Sequence, residues 1–233
     1  MPKQIAIDGP AGSGKSTVAR QIARKLGYLY IDTGALYRAV TLIALRRDND
    51  LNDPTVLADL AGSMPLEVKM KADGQPAYFI AGEEVTDELR SPEVNGKVSE
   101  VAQIAAVRKQ VTQKLQTLAG RKGIVMDGRD IGTVVLPNAE VKVFLEADLS
   151  TRVKRRQQEL QSRGFFLPTA AVEEEVRQRD LTDSARSEAP LKRAADAHII
   201  DTTHLSPDAV VDAIIALIKR QKKSTRQKEG DCF

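Results

Sequence analysis

The chain has 233 residues, 42% hydrophobic and 29% charged, with a formal net charge of +3, which suits one domain with insertions and calls for no nucleic-acid partner. No run of 18 apolar residues occurs, so neither an apolar leader nor a membrane span is expected. The single cysteine, Cys232, has no internal disulfide partner, and a cytoplasmic monomer is the expectation.

Residues 4–8 read as a buried strand and 15–26 as a helix. Between them runs Gly9-Pro10-Ala11-Gly12-Ser13-Gly14-Lys15-Ser16, followed by Thr17, and the first eight match GxxxxGK[ST] in its strand-to-helix context. Glycine dihedrals let successive N–H groups turn around an anion and leave room for phosphate oxygens, while the helix start adds positive potential. Lys15 would reach the outer phosphates and the Ser16 hydroxyl would ligate Mg²⁺. The loop therefore specifies a nucleoside triphosphate but not the reaction that follows.

A strand at 28–31 and a helix at 34–47 continue the alternation, which is the rhythm of a parallel α/β sheet. Asp32-Thr33-Gly34-Ala35-Leu36-Tyr37-Arg38 starts at the strand end and opens the helix, offering a second anion-binding N-terminus with a hydroxyl and an arginine. The rhythm then breaks. Short strands at 66–70, 77–80 and 83–85, joined by Asp73-Gly74 and Ala81-Gly82 turns, predict a small antiparallel lobe.

A long helix is predicted over 94–118, then a buried strand over 123–126 that ends at Asp127. A carboxylate there can help hold Mg²⁺, although Asp8 and Asp32 also end apolar strands and compete for that role. Gly128-Arg129-Asp130 follows at once and puts a guanidinium at the carboxyl edge of the sheet, suited to a phosphate.

A strand at 141–145 leads to helices at 150–163 and 170–183, separated by Gly164-Phe165-Phe166-Leu167-Pro168. This hairpin carries Arg152, Arg155, Arg156, Arg177 and Arg179, with Arg186 just beyond. Phosphoryl transfer needs cations around the moving group and exclusion of bulk water, and a mobile basic lid would provide both. Arg152 and Arg177 equally suit a solvated helix face, and Phe165 and Phe166 read as packing residues. A strand at 198–200 and a helix at 208–220, opened by Ser206-Pro207, complete the pattern, and the basic stretch 221–233 is expected to be a disordered tail. Neither His198 nor His204 has a metal-ligand partner at useful spacing, and no activated nucleophile is presented.

Four segments in this order resemble the cytidylate kinase family: residues 7–16, 32–38, 127–137, and 179–186 with Ala189-Pro190-Leu191 behind it. The resemblance covers about residues 4–218. It implies a P-loop kinase fold with a five-stranded parallel sheet flanked by helices, a three-stranded antiparallel insert in the monophosphate-binding lobe, and a helical lid. The expected division is a core of 1–60, 120–150 and 197–220, a monophosphate-binding lobe of about 61–119, and a lid of about 151–190. It further implies phosphorylation of CMP and dCMP by ATP with Mg²⁺. Thr33, Tyr37, Arg38 and Arg129 would hold the CMP phosphate, and Ser99, Arg108, Asp130 and Arg186 would surround the cytosine. Arg179 and Asp183 would address the ribose, and Arg155 with Arg156 would lie over the ATP. Direct in-line transfer would then rest on Lys15, Arg129 and Arg179, with Ser16 and Asp127 at the metal. A kinase for another small anionic metabolite, or a nucleotide-dependent switch, stays open on the residues alone.

Overall fold

The computed structural model describes residues 4–71, 75–120 and 123–230, the stretch 221–230 as backbone only. Five strands form one parallel sheet in the order β2-β6-β1-β7-β8: β1 (Gln4–Asp8), β2 (Leu29–Asp32), β6 (Ile124–Gly128), β7 (Val141–Glu146) and β8 (His198–Asp201). Their period-2 alternation sorts side chains to two faces. Ile5, Ile7, Val125, Val143 and Leu145 pack beneath α1 (Lys15–Leu26) and α8 (Pro207–Gly230). Ala6, Ile31, Ile124 and Met126 pack on the opposite face with α2 (Thr33–Arg46), α3 (Pro54–Ser63), α4 (Pro92–Val101) and α5 (Ala105–Ala119).

The antiparallel sheet is present as β3 (Leu66–Met70), β4 (Pro76–Ile80) and β5 (Glu83–Glu84) in that order. Ala81 and Gly82 make the second turn with φ of 49° and 86°, the left-handed pair a tight hairpin requires. The expected Asp73-Gly74 turn lies outside the described residues. Helices α6 (Leu149–Gln161) and α7 (Thr169–Ala185) form the basic hairpin, held by Val153, Leu160, Val172 and Val176.

Several expectations need correction. Helix α3 was not anticipated, although Asp53 accepts from Thr55 N at 2.9 Å and Val56 N at 3.1 Å with Pro54 behind it, a cap legible in the sequence. The single helix expected over 94–118 is two, broken at Ala102–Ile104 with no proline or glycine at the break. Buried Arg108 reaches back to donate to the freed Ala102 carbonyl at 3.0 Å. The closing helix, expected to end at Arg220 before a disordered tail, runs to Gly230, because Gln, Lys, Arg and Glu supply helix propensity until that glycine. Phe165 and Phe166 are 37% and 78% exposed rather than packed.

Candidate active site

The carboxyl edge of the parallel sheet gathers three aspartates, because β2 pairs Asp32 with Asp127 and β1 pairs Asp8 with Gly128. Their hydrogen bonds separate their roles. Asp8 accepts from Ile131 N at 2.8 Å and Gly132 N at 2.7 Å, which pins the π-helical turn Ile131–Val135 after β6. Burial pushes its carboxyl up to about 6 against those two bonds. Asp32 accepts from Arg38 at 2.5 Å and Arg90 at 3.2 Å. Burial alone would raise Asp32, but the two guanidiniums outweigh it and hold the carboxyl below its usual range.

Asp127 instead faces the phosphate loop. It accepts from Ser16 Oγ at 2.8 Å and from Tyr30 Oη at 2.8 Å. Burial first, then the nearby Asp32 charge, pushes its carboxyl up to about 6. A hydroxyl and a carboxylate converging at the mouth of the loop are hard oxygen donors of the kind Mg²⁺ takes alongside phosphate. Among the described residues no group of three or more His, Cys, Asp or Glu is arranged to hold a metal ion by itself.

In the loop itself Gly9, Gly12 and Gly14 all take positive φ, as a loop turning around an anion requires, and two of them also sit against neighbouring backbone. A Cβ on Gly9 would lie 2.2 Å from the Leu145 carbonyl oxygen, and one on Gly12 would lie 2.7 Å from the Arg152 carbonyl oxygen. Both therefore also permit close approach of the loop to β7 and α6. Lys15 Nζ donates to Pro10 O at 2.6 Å and Ser13 Oγ at 3.3 Å. Burial, with Arg129 and Arg179 nearby, holds the Lys15 ammonium well below its usual range despite Asp127 and Asp183. The loop is thus a cation-rich seat short of negative charge.

Arg152, for which a solvated helix face was one of two readings, is buried beneath the loop. It donates to Ala11 O at 3.0 Å, to Ala147 O at 3.1 Å and to Asp180, whose second oxygen accepts from Ala11 N at 3.1 Å. Arg155 grips Thr202 through Oγ1 at 2.9 Å and the carbonyl at 2.6 Å, and Thr202 Oγ1 donates to Ser13 O at 3.2 Å. Arg156 bridges Glu159 at 3.1 Å and Glu175 at 2.7 Å across the hairpin.

Two cavities meet at this loop. One, of about 920 Å³, runs along Gly12–Val18 and is walled by Arg155, Thr202, Leu205 and Pro207. The other, of about 590 Å³, contains Thr33, Tyr37, Arg38, Ser99, Arg108, Arg129, Asp130, Arg179, Asp183 and Arg186, every residue expected around the acceptor. Both include Lys15, Ser16, Arg90 and Arg156. Gly9 and Pro10 line neither, consistent with their backbone roles, and Ala11 lines only the smaller cavity.

Inside the smaller cavity the charges are already paired, and not always as the sequence suggests. Arg108 donates to Asp130 Oδ2 at 2.6 Å and stacks over Tyr37 with its guanidinium carbon 5.4 Å from the ring centroid. Burial pushes the Tyr37 hydroxyl up to about 12. Asp130 is raised by burial in spite of Arg108. Arg129 Nε donates to Asp183 Oδ2 at 2.6 Å, and Arg186 takes the other Asp183 oxygen. Thr33 Oγ1 donates to Asp127 O at 2.8 Å. Arg179 forms no hydrogen bond or ion pair among the described residues, and burial beside Arg129 lowers it to about 10. Sequence reasoning missed Arg90, Tyr30, Thr202 and Asp180. Only Tyr30 carried a signal, as a polar tip inside an apolar strand.

The cytidylate kinase family model matches residues 5–220, which spans both cavities and the hairpin. The chain belongs to the cytidylate kinase family. A cytidylate kinase of Bacillus licheniformis is 48% identical over 217 residues, covering 93% of this chain and 96% of that protein. One from Geobacillus sp. (strain WCH70) is 49% identical over 218 residues, covering 94% and 97%. Among solved structures, an uncharacterized protein from Eubacterium ventriosum superposes with a TM-score of 0.54 at 15% identity, covering 94% of this chain and 99% of that one, a likeness of fold alone. No helix among the described residues is long and apolar enough to cross a membrane.

Proposed function

We propose that this chain transfers the terminal phosphoryl group of ATP to CMP or dCMP by direct in-line displacement. The observation that carries the reading is the junction of two cavities at Lys15 and Ser16: one has the loop of a triphosphate site, the other a nucleobase-sized space lined by paired charges. Two substrates laid end to end would meet there, which replaces a bimolecular encounter by a positioned one.

The donor triphosphate lies along Gly12–Thr17, and Lys15 leaves Pro10 O for its outer oxygens. Arriving negative charge relieves the crowding that depresses the Lys15 ammonium. Ser16 and Asp127 would hold Mg²⁺, which when bound would supply positive charge to the phosphoryl oxygens. Arg155, docked on Thr202, covers the nucleoside end. Arg38 and Arg129 orient the acceptor phosphate, and Arg179, which has no hydrogen bond or ion pair among the described residues, meets the charge that develops between donor and acceptor.

At the base, Arg108 occupies Asp130 Oδ2 and leaves Oδ1 to accept from the exocyclic amine of cytosine. Uracil would present a carbonyl oxygen at that point, and two acceptors facing each other in a buried site discriminate strongly. Closure of α6–α7 over the junction excludes water as a rival acceptor. The test is a coupled assay of ADP release with ATP, Mg²⁺ and each nucleoside monophosphate in turn. CMP and dCMP are expected to give turnover far above UMP and AMP, and equal turnover with all acceptors would refute the reading.

A further inference from the structure

Tyr78, on the middle of β4, is 2% exposed, and its backbone is fixed on both sides: its N donates to Thr86 Oγ1 at 3.0 Å and its carbonyl accepts from Val85 N at 2.9 Å. Its hydroxyl is buried and has no hydrogen-bond partner, and it is the only such side-chain atom among the described residues that belongs to a residue lining the larger cavity. That wall also carries Ser16, Tyr30 and Arg90. Burial drives the Tyr78 hydroxyl far above its usual range, and the charges acting on it are those of Asp32, Arg38, Arg90 and Asp127. The antiparallel sheet thus contributes a phenol-bearing residue to the wall that Ser16, Tyr30 and Arg90 share.

A buried hydroxyl with no protein partner is a place where a water or a ligand atom belongs. Tyr30 has committed its proton to Asp127 Oδ1 and keeps a lone pair, so a water accepting from Tyr78 can donate to Tyr30 Oη and remain beside the carboxylate. We propose that Tyr78 is a positioning residue of the phosphoryl-transfer site, holding through one water the Tyr30–Asp127 pair that faces Ser16, and that this water joins the outer hydration shell of the Mg²⁺–ATP complex. The inference rests on the assignment of Ser16 and Asp127 to the metal. It gives the antiparallel sheet a part in the chemistry besides shaping the acceptor lobe.

The test is Tyr78→Phe, with nucleotide binding measured by titration calorimetry in Mg²⁺ and again in EDTA. Loss of one water-mediated hydrogen bond predicts a dissociation constant for ATP raised roughly three- to tenfold in Mg²⁺. Affinity for ATP in EDTA, affinity for CMP and the melting temperature are expected to stay at wild-type values. An unchanged constant in Mg²⁺ would overturn the proposal, and so would equal weakening in EDTA, which marks a packing effect. Failure of the variant to fold would overturn it too, since a hydroxyl satisfied by water is not needed for folding. Asp127→Asn separates the two layers of the argument. If that variant loses the Mg²⁺ enhancement while Tyr78→Phe keeps it, only the role of Tyr78 falls; if both keep it, the metal assignment itself falls.

Discussion

Replacing Arg108 by Met probes the buried pair at the base end of the smaller cavity. The side chains of Arg108 and Asp130 are 5% and 7% exposed and 2.6 Å apart, so solvent screening does not weaken the interaction. Removing the guanidinium strands a buried carboxylate and deprives Ala102 O of its donor. Breaking such a pair costs about 3–5 kcal/mol. At about 2–4 °C per kcal/mol for a chain of this size, the melting temperature is expected to fall by roughly 6–20 °C. The loss depends on pH with a definite sign. Asp130 already binds its proton more tightly folded than unfolded, and without Arg108 it does so more strongly. The protonated carboxyl is the form the folded state favours, so the penalty is greatest at pH above the folded pKa and shrinks on acidification. Urea denaturation of wild type, Arg108→Met, Asp130→Asn and the double variant at pH 5.5 and 8, taken as a double-mutant cycle, measures it. The double variant should recover at least half of the stability lost at pH 8. Additive losses, or a penalty that grows on acidification, would refute the account of the pair.

Four other outcomes are expected. Lys15→Ala should lower turnover by roughly 10²–10³-fold, the scale for one charge-stabilising donor, with little change in CMP affinity, and steady-state kinetics with unchanged turnover would remove it from the mechanism. Arg129→Ala should weaken CMP much more than ATP in calorimetry, and equal losses would contradict its place on the acceptor. Asp127→Asn should melt at or above wild type at pH 7.5: a carboxyl held at about 6 folded but lower unfolded contributes stability below that range and loses it as pH rises. That advantage should vanish at pH 4, and scanning calorimetry showing the same advantage at both pH values would rule the burial argument out. Thr202→Val removes the hydroxyl half of the Arg155 dock and the bond to Ser13 O while keeping the carbonyl half, so it should raise the Michaelis constant for ATP several-fold while leaving that for CMP in place, and the reverse pattern would refute the division between the two cavities.

The phosphate loop, the alternation of strand and helix and the hairpin turn at Ala81-Gly82 were legible along the chain, because each is decided by residues within a few positions of one another: glycine dihedrals, the two periodicities and turn chemistry. The residues that the family motifs assigned to the acceptor line one cavity together. What the linear order leaves open is which charge meets which. Asp8, Asp32 and Asp127 are indistinguishable as aspartates ending apolar strands, and they diverge only when β6 inserts between β1 and β2 and brings Ser16 and Tyr30 to Asp127, Arg38 and Arg90 to Asp32, and two backbone N–H groups to Asp8. The same holds for Arg152, which looks solvated on its own helix and is buried because Asp180 and Ala11 approach it from 28 and 141 positions away. Local geometry is written in neighbouring residues, whereas the energy of a buried charge depends on its surroundings in three dimensions, and these exist only once the chain has folded.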